Sequence, residues 1–338
     1  IIDAALDKVG MRGSRTANLA FDGVEVPAKN ILGPKGGGLK VCLTVLDYGR
    51  TTFGASCTGT AKYLTQRAIE YSKTRHQFHR PLASFGLVKQ MIAHMGAYTY
   101  AMEATTYLTA GLLDKGKEDI MLEAAILKVF TSESLWKILY NTMQIFGGRS
   151  FFTDEPFERI MRDIRLNMIG EGSNEVLKVF VAVVGIRDVG MNLKELALAF
   201  KEFNYKKMGV GFKRLLNRLK LPAFNGVAHF EKESRELSIA VRRFGIGIVR
   251  LLAVYKEEVV EKQLELERVY IAVCALYTIS AVLGKIQMRV QAQSADHCEI
   301  ETAKLYCRLA FDDFDTAWKS LFSKKDHKIE SLAEELTR

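Results

Sequence analysis

The chain has 338 residues, 48% of them hydrophobic, and a formal net charge of +9 at pH 7. A chain of this length can bury a sizeable core and is expected to form two domains. Its five prolines are few enough to favour long helices, and no apolar run reaches about 18 residues, so we expect no membrane-spanning segment. The basic residues are spread along predicted helices without a zinc-finger, RNP or helix-turn-helix signature, which argues against nucleic acid and favours acidic small molecules or a membrane surface. The chain starts at Ile1 with neither a methionine nor a signal peptide, so we expect it to be part of a longer protein.

Neither the cysteines nor the histidines form a recognisable set of ligands. The cysteines lack a CxxC pair and a regular spacing, which predicts reduced, buried thiols in a reducing compartment. His76 and His79 are close in sequence, and residues 296–298 read Asp-His-Cys, but neither group has a known metal spacing. We therefore predict no metal site. The cysteines are Cys42, Cys57, Cys274, Cys298 and Cys307.

Residues 1–33 differ in pattern from the rest of the chain. Residues 19–27 alternate apolar and polar side chains and end on Pro27, which is typical of a half-buried strand. A single strand is not stable by itself, and no later segment has a sheet pattern. We therefore interpret residues 1–33 as the end of a β domain whose beginning lies outside this chain.

A helical pattern begins after the glycine-rich residues 33–38. These glycines could cradle a phosphate, but no GK[ST] follows them, so a linker is the favoured interpretation. Short connections between long helices predict an antiparallel bundle over residues 34–190. Apolar residues at helical spacing predict helices over residues 39–73, 86–113 and 120–146, a shorter helix after Pro156, and a last one over residues 176–186.

An acidic residue between two glycines precedes the last of these helices. Gly170 and Gly172 allow a sharp turn and a close approach to a ligand, which a Cβ at either position would hinder. Glu171 could then be directed into a cleft, while Ser173 or Asn174 caps the helix. The alternative is an ordinary helix start with an acidic residue near the positive end of the helix dipole.

Two further segments have side chains suited to a phosphate or a ring. Residues 75–82 connect two helices and contain arginines, an amide and an aromatic ring, and the alternative is a solvated loop with Phe78 buried. At the end of the next long helix, the amide of Gln144 precedes Gly147 and Gly148. The alternative there is a helix C-cap in the left-handed αL conformation.

Basic and aromatic residues are combined in residues 194–220. Gly209 and Gly211 predict that this segment is divided into two short amphipathic helices. Such a segment suits an anionic membrane surface. The alternative is a helix that packs on its own protein.

The remaining residues, 231–338, have no pattern that indicates catalysis. They predict three helices interrupted near Gly284 and Asp296. Charges of alternating sign at i,i+4 spacing over residues 256–268 predict a solvated face.

Four segments of the chain occur in an order and spacing that match a known family. They read KVGMRGSRTANLAFDGVEVPAKNILG from Lys8, RHQFHRPLASFGLVKQMIAHM from Arg75, MQIFGGRSFFTDEPFERIMRDIRL from Met143 and IGEGSNEVLKVFVA from Ile169. The chain resembles the acyl-CoA dehydrogenases, from late in their middle β domain through their C-terminal helical domain. Residues 191–338 resemble, less closely, the helical extension of the very-long-chain branch of that family.

The resemblance implies a mainly α fold, in which an antiparallel helical bundle (residues 34–190) follows a β-domain remnant (residues 1–33) and precedes a second helical domain (residues 191–338). It also implies an FAD-dependent acyl-CoA dehydrogenase of fatty acid β-oxidation. Such an enzyme desaturates a long-chain acyl-CoA thioester and passes the electrons to an electron-transfer flavoprotein. The implied location is the mitochondrial matrix or the bacterial cytoplasm, with peripheral contact to the inner membrane through residues 194–220.

Glu171 stands at the position of the family's catalytic base, which removes the α-proton of the thioester while the β-hydrogen leaves as hydride to FAD. In the family, the backbone N–H of the base and a flavin hydroxyl hold the thioester oxygen. Some members carry the base on the first long helix, directly before an arginine. This chain has Gly49 before Arg50 there, which favours Glu171 as the base. Arg50 and Gly172 are implied to lie at the substrate, and screening from water is expected to raise the pKa of Glu171.

Two segments match residues that contact FAD bound mainly by a neighbouring subunit. Ser173 replaces the usual threonine and keeps a hydroxyl for FAD, while Glu175 stands where relatives have Gln or Asp. His79 replaces the commoner glycine of an R-x-x-F-G pattern. The implied FAD contacts are Arg75, Gln77, Phe78, Gln144, Gly147, Gly148, Ser173 and Glu175.

The family's other flavin contacts come from N-terminal helices and β-domain residues that this chain does not contain. We therefore expect the chain alone to bind FAD weakly or not at all and to be inactive, and we expect the full-length protein to be a homodimer. The alternative is a non-catalytic interaction protein, because one member of the very-long-chain branch has an assembly role in the respiratory chain. The presence of Glu171, Arg50 and the FAD-contacting residues favours the enzyme.

Overall fold

The computed structural model describes residues 2–117, 119–218, 220, 222 and 228–338, and these residues divide into two compact units, Ile1–Asn174 and Glu175–Arg338. Ile1, and Leu219 in the segment with a predicted membrane contact, lie outside the described residues. The α-helices of the described chain are α1 (Gly38–Thr74), α2 (Gly86–Asp114), α3 (Met121–Phe146), α4 (Phe157–Ile164), α5 (Asn174–Lys201), α6 (Tyr205–Arg218), α7 (Glu231–Tyr255), α8 (Gln263–Gln291), α9 (His297–Lys319) and α10 (Asp326–Leu336).

The first three helices form the predicted antiparallel bundle. Their observed limits lie within about one residue of the predicted ones, because the apolar spacing that predicts each helix also supplies its buried face. Leu64 of α1, Met102 of α2 and Leu127 of α3 are each 0% exposed. The most extensive contact joins α1 and α3, which run in the same direction.

Gly54 allows α1 to approach α3 closely. A Cβ at Gly54 would lie 2.6 Å from Cγ of Leu127, and carbon atoms of separate side chains do not approach each other so closely. A Cβ at Gly59, about one and a half turns further along α1, would have no atom within 4 Å. The two glycines therefore differ sharply in what they contribute to packing.

The connection between α1 and α2 is a two-stranded hairpin. Strand β1 (His76–Gln77) pairs antiparallel with strand β2 (Arg80–Pro81). Phe78 and His79 form the turn, with φ angles of 50° and 62°. Both values lie in the left-handed region that a two-residue type I′ turn requires.

The strand predicted over residues 19–27 does not form. Leu19 makes an isolated antiparallel bridge to Ile2, and the backbone N–H of Leu6 donates to the carbonyl of Thr16 at 2.8 Å. Beyond Leu19, the apolar side chains of Phe21 and Val26 are 79% and 67% exposed. No strand in the described residues lies beside them, and a strand needs such a neighbour to satisfy its backbone and to cover its apolar face.

The helix predicted over residues 176–186 is longer than the sequence analysis allowed. Helix α5 continues to Lys201, because Val189 and Leu193 extend its apolar face and pack against a buried cluster that includes Ile248 and Leu266. The glycines at its centre do not interrupt it, since tertiary packing outweighs their low helix propensity.

The division predicted at Gly209 and Gly211 is wrong, since both glycines lie inside α6. The chain instead bends before Tyr205, where Phe203 has a φ of 52°. A Cβ at Gly211 would lie 2.8 Å from Cδ1 of Leu196, so this glycine allows α6 to pack on α5.

Residues 231–338 form four helices where three were predicted. Helix α8 passes through Gly284 without a break, whereas Asp296 is the N-cap of α9 and accepts a hydrogen bond from the N–H of Glu299 at 2.7 Å. The additional helix, α10, begins at Asp326, and its carboxylate accepts two hydrogen bonds from Arg268 of α8 at 2.5 and 2.6 Å. The charged residues 256–261 form a 3-10 helix rather than part of an α-helix.

By length and composition α8 could cross a membrane, contrary to the expectation from apolar runs. Of its most apolar stretch, 61% is buried inside the protein, which is the arrangement of a core helix. The expectation of buried thiols also holds only in part. Cys57 and Cys307 are buried, Cys274 is half-buried, and Cys42 and Cys298 are exposed.

The close contact at Gly54 gives a stability prediction. We expect Gly54→Ala to lower the free energy of unfolding by about 1–3 kcal/mol, because its Cβ overpacks the contact with Leu127. The matched change Gly59→Ala places a Cβ in open space on the same helix and should raise stability by about 0.5–1 kcal/mol through helix propensity. Urea unfolding followed by circular dichroism measures both. Equal stability of the two variants would contradict the packing assignment.

Candidate functional site: the Glu171 loop

The carboxyl group of Glu171 occupies the space beside Gly49 of α1. A Cβ at Gly49 would lie 2.8 Å from Oε1 and 2.8 Å from Oε2 of Glu171. Any side chain at position 49 would therefore have to displace this carboxyl group. An acid at position 49 and the observed position of Glu171 exclude each other, which gives a steric reason for the glycine before Arg50.

The backbone at Glu171 has an unusual conformation. Glu171 has a φ of 57° and Gly172 a φ of 100°. For a residue with a Cβ this conformation costs about 1–3 kcal/mol and persists only where neighbouring groups fix it. One such group is Arg50, which is 7% exposed. Its Nε donates to the carbonyl oxygen of Glu171 at 3.3 Å, while its Nη1 donates to Oδ1 of Asp47 at 3.2 Å.

The turn itself does not require glycine at position 170, whereas the predicted close approach of Gly170 to a ligand stays a prediction. A Cβ at Gly170 would lie 3.5 Å from the carbonyl oxygen of Leu166, an ordinary contact, and its φ is not positive. The residues that require the left-handed region are Glu171 and Gly172. Strain in the loop of residues 169–173, which we call the Glu171 loop, is therefore centred on the acidic residue itself.

The sequence analysis missed a buried lysine beside this loop. Lys128 of α3 is 0% exposed, and its Nζ lies 2.8 Å from the carbonyl oxygen of Gly172 and 2.8 Å from Oδ1 of Asn174. A signal for it was present, because Lys128 interrupts an apolar run, Ala-Ala-Ile-Leu-Lys-Val-Phe, on a helix that packs into the core. Asn174, considered before only as a helix cap, is 1% exposed and anchors the start of α5 to α3.

The electrostatic environment of Glu171 is that of a partly buried carboxyl between two cations. Oε2 of Glu171 is buried, and no group in the described residues donates a hydrogen bond to it. Desolvation raises the pKa of Glu171 above its ordinary value, while the positive charges of Arg50 and Lys128 oppose that rise. The direction agrees with the expectation of a raised pKa, although its cause here is the protein itself.

Six of the other predicted site residues lie at one end of the bundle. Because α1 and α3 run in the same direction, the hairpin that follows α1 and the residues that end α3 share that end. The rings of Tyr71 and Phe146, one from each helix, are stacked with centroids 4.1 Å apart. The structure thus brings together the two segments that contain Arg75, Gln77, Phe78, Gln144, Gly147 and Gly148.

The alternatives for these two segments have different outcomes. The side chain of Phe78 is 83% exposed, so the interpretation of a loop with Phe78 buried is wrong. Gly147 does end α3, and its N–H donates to the carbonyl of Gln144, but its φ of 58° and ψ of −138° lie outside the αL region. A residue with a Cβ rarely adopts these angles, so Gly147 has a local structural role.

The predicted site residues therefore form two groups. Ser173 and Glu175 lie within four residues of Glu171, whereas Arg75, the C-cap of α1, is 25 residues from Arg50. At 1.5 Å per residue, that places the two ends of the predicted site about 37 Å apart. One ligand of ordinary size cannot contact both groups, as expected if the hairpin end contacts a cofactor held by another subunit.

Comparisons with known proteins find two family models that match this chain. Residues 36–184 match the family model described as "Acyl-CoA dehydrogenase, C-terminal domain", and residues 228–338 match "ACAD9/ACADV, C-terminal domain". The mitochondrial very long-chain specific acyl-CoA dehydrogenase of Bos taurus is 34% identical over 308 residues, which are 89% of this chain and 47% of that protein. This chain thus spans about half the length of the curated relatives that it matches.

Solved structures show the same similarity. An acyl-CoA dehydrogenase complexed with FAD from Bacillus anthracis matches 100% of this chain and 60% of its own, with a TM-score of 0.81; at 23% identity this is a similarity of fold. Butyryl-CoA dehydrogenase from Megasphaera elsdenii is 36% identical, with a TM-score of 0.50 over 52% of this chain and 46% of its own. The chain therefore belongs to the acyl-CoA dehydrogenase family, of which it contains C-terminal domains.

Proposed function

We propose that the full-length protein is an FAD-dependent acyl-CoA dehydrogenase that desaturates a long-chain acyl-CoA thioester, with Glu171 as the base. The observation that carries this proposal is the carboxyl group of Glu171, which is fixed beside Gly49 with one oxygen buried and without a hydrogen-bond donor in the described residues. A carboxylate in this state can accept a proton, because no donor competes for that oxygen.

The residues around Glu171 supply the other requirements of α-proton removal. The α-proton of a thioester is weakly acidic, so its removal needs a base of raised pKa and a donor for the thioester oxygen. Burial raises the pKa of Glu171. The backbone N–H of Glu171 is the proposed donor. Its direction depends on the positive φ of Glu171 and on the hydrogen bond from Nε of Arg50 to the carbonyl oxygen of Glu171.

The cofactor in this proposal is FAD, which when bound supplies the hydride acceptor. The group at the hairpin end suits its adenine and pyrophosphate portion. The exposed ring of Phe78 offers a stacking surface, and the exposed side chains of Arg75, Gln77 and Gln144 offer hydrogen-bond donors. Gly147 and Gly148 have no atom within 4 Å of a Cβ position, so they leave the backbone open to a ligand.

Other parts of the proposal concern the full-length protein. Because the N-terminal portion of the relatives has no counterpart in this chain, we propose that the chain alone binds FAD weakly and has no activity. The proposed assembly is a homodimer that reduces an electron-transfer flavoprotein. The proposed location is the mitochondrial matrix or the bacterial cytoplasm; the name of the relative from Bos taurus describes that protein as mitochondrial.

Peripheral membrane contact is proposed for the segment formed by the end of α5 and by α6. Phe203 and Tyr205, between the two helices, are each 77% exposed. The neighbouring Lys201, Lys206 and Lys207 are also exposed. Exposed aromatic rings beside exposed lysines suit the interface of an anionic bilayer. The alternative of a helix packed on its own protein also has support, since Arg214 of α6 donates to Oε2 of Glu195 of α5 at 3.3 Å.

The role of Glu171 is tested by Glu171→Gln in the full-length protein. We expect kcat for an acyl-CoA thioester to fall by about 10²–10⁴-fold or more, because glutamine cannot accept the α-proton. Dye reduction under saturating FAD measures this. Asp188→Asn, the same change of charge at an exposed position of α5, is the matched control and should leave kcat unchanged. Unreduced kcat in Glu171→Gln would contradict the assignment, and absence of turnover in the wild type would favour the non-catalytic interaction protein.

The steric role of Gly49 is tested by Gly49→Ala. Its Cβ would force the carboxyl group of Glu171 to move, and a displacement of about 1 Å can reduce kcat by about 10²-fold. Thermal stability should change little, because only the end of a flexible side chain has to move. Gly59→Ala, which meets open space on the same helix, is the control. If Gly49→Ala had the wild-type kcat, the proposed position of the base would be wrong.

Membrane contact is tested by flotation of the chain with lipid vesicles. We expect it to float with vesicles rich in anionic lipid and not with zwitterionic ones, since lysines near the surface contribute about 1 kcal/mol each. Lys206→Glu/Lys207→Glu should abolish flotation, and the exposed pair Lys324→Glu/Lys325→Glu serves as a control of equal charge change. Equal recovery with both types of vesicle, or none with either, would contradict the proposal.

A further inference from the structure

Lys128 is the fully buried lysine of the first unit, and its burial requires an explanation. Transfer of an ammonium group out of water costs several kcal/mol unless partners compensate it. Two acceptors lie within hydrogen-bond distance of Nζ, the carbonyl oxygen of Gly172 and Oδ1 of Asn174, each at 2.8 Å. Both belong to residues within three positions of Glu171 in the chain.

The carbonyl groups of two consecutive residues are thus tied to two different helices. Arg50 of α1 donates to the carbonyl of Glu171, and Lys128 of α3 donates to the carbonyl of Gly172. These are the two residues of the loop with positive φ. The conformation of Glu171 is otherwise unfavourable because Glu171 has a Cβ, and both hydrogen bonds help to fix it. Without them, the Glu171 loop could relax towards more common backbone angles.

Asn174 links the same lysine to the start of α5. Its Oδ1 accepts from Lys128, and its Nδ2 donates to Oγ of Ser132 at 3.1 Å and, at 3.5 Å, lies near Oε1 of Glu133. The side chain of Asn174 is 1% exposed, so this network is shielded from water. Hydrogen bonds of this kind are strong in a low-dielectric interior and costly to break.

We propose that Lys128 is a positioning residue for the base: its ammonium group fixes the backbone of the Glu171 loop from α3 and keeps the carboxyl group of Glu171 beside Gly49. This inference rests on the proposed function for the word base, but the positioning itself is a property of the chain without cofactor or substrate.

The charge of Lys128 adds an electrostatic effect to the geometric one. The charged groups that act on Glu171 are Arg50 of α1, itself paired with Asp47, and Lys128 of α3, whose partner Asn174 lies near Glu133. Both cations lower the pKa of Glu171 against the larger effect of burial. Removal of the positive charge from position 128 therefore raises the pKa of Glu171 further.

The test compares Lys128→Met, which removes charge and donors at similar length, with Thr131→Val, a control at a fully buried position of the same helix. Thr131 donates to the carbonyl of Leu127 at 2.7 Å, within α3. Two quantities are measured in the chain alone: the pKa of Glu171 by ¹³C NMR, assigned with Glu171→Gln, and amide hydrogen exchange of residues 169–173. We expect Lys128→Met to raise the pKa of Glu171 and to accelerate exchange of the loop amides at least about tenfold relative to the amides of α3, as for a local opening.

A merely structural role would give a different pattern. It would lower the unfolding midpoint and accelerate exchange uniformly across α3, with the pKa of Glu171 unchanged, and that outcome would overturn the proposal. Lys128→Arg, which keeps the charge and the donors, should restore the wild-type pKa. If Lys128→Met does not fold, Lys128→Gln tests the charge alone: its amide keeps a hydrogen-bond donor, so the pKa of Glu171 should still rise, and an unchanged pKa would overturn the proposal. Since neither measurement depends on turnover, an inactive full-length protein would contradict the proposed function and not this inference.

Discussion

A side chain at position 49 would clash with the carboxyl group of Glu171, and the observed site depends on that steric constraint. The carboxyl oxygens of Glu171 lie 2.8 Å from the position of a Cβ at residue 49, which is too close for atoms that are not bonded. The bundle must therefore present a glycine on α1 and, at the same height, a loop that projects its acid towards that glycine. The position of Glu171 is a consequence of helix packing as much as of its own loop, because α1 and α3 supply the groups that fix it.

The Glu171 loop has a strained backbone that hydrogen bonds from two helices hold in place. A residue with a Cβ at a φ of 57° would normally relax. Arg50 of α1 and Lys128 of α3 prevent this by donating hydrogen bonds to the carbonyl groups of Glu171 and Gly172. The positive charges of Arg50 and Lys128 also lower the pKa of the partly buried carboxyl group of Glu171, against the larger effect of burial. Positioning and electrostatics therefore come from the same two side chains. Because Arg50 and Lys128 serve both purposes, they are buried in a bundle whose other charged side chains are mostly exposed.

The sequence predicted the bundle well and the site in part, for physical reasons that differ from element to element. Helices α1, α2 and α3 follow from the spacing of their own apolar residues. Residues 19–27 failed as a strand because a strand depends on neighbours outside its own sequence. The glycines of α6 gave a wrong helix break because Gly211 accommodates Leu196, and no local sequence pattern contains a contact between such distant residues. Lys128 was missed for the same reason, since its acceptors lie 44 and 46 residues away.

The proposed role of Glu171 is to remove the α-proton of an acyl-CoA thioester with its carboxyl group. The most direct test is incorporation of deuterium at the α-carbon in D₂O, followed by mass spectrometry, with the full-length protein containing FAD. The substrate should be an acyl-CoA analogue with a sulfur atom in place of the β-carbon, which cannot lose a hydride. We expect the wild type to catalyse this exchange and Glu171→Gln, with FAD still bound, not to catalyse it. Exchange at an undiminished rate in Glu171→Gln would show that another group is the base.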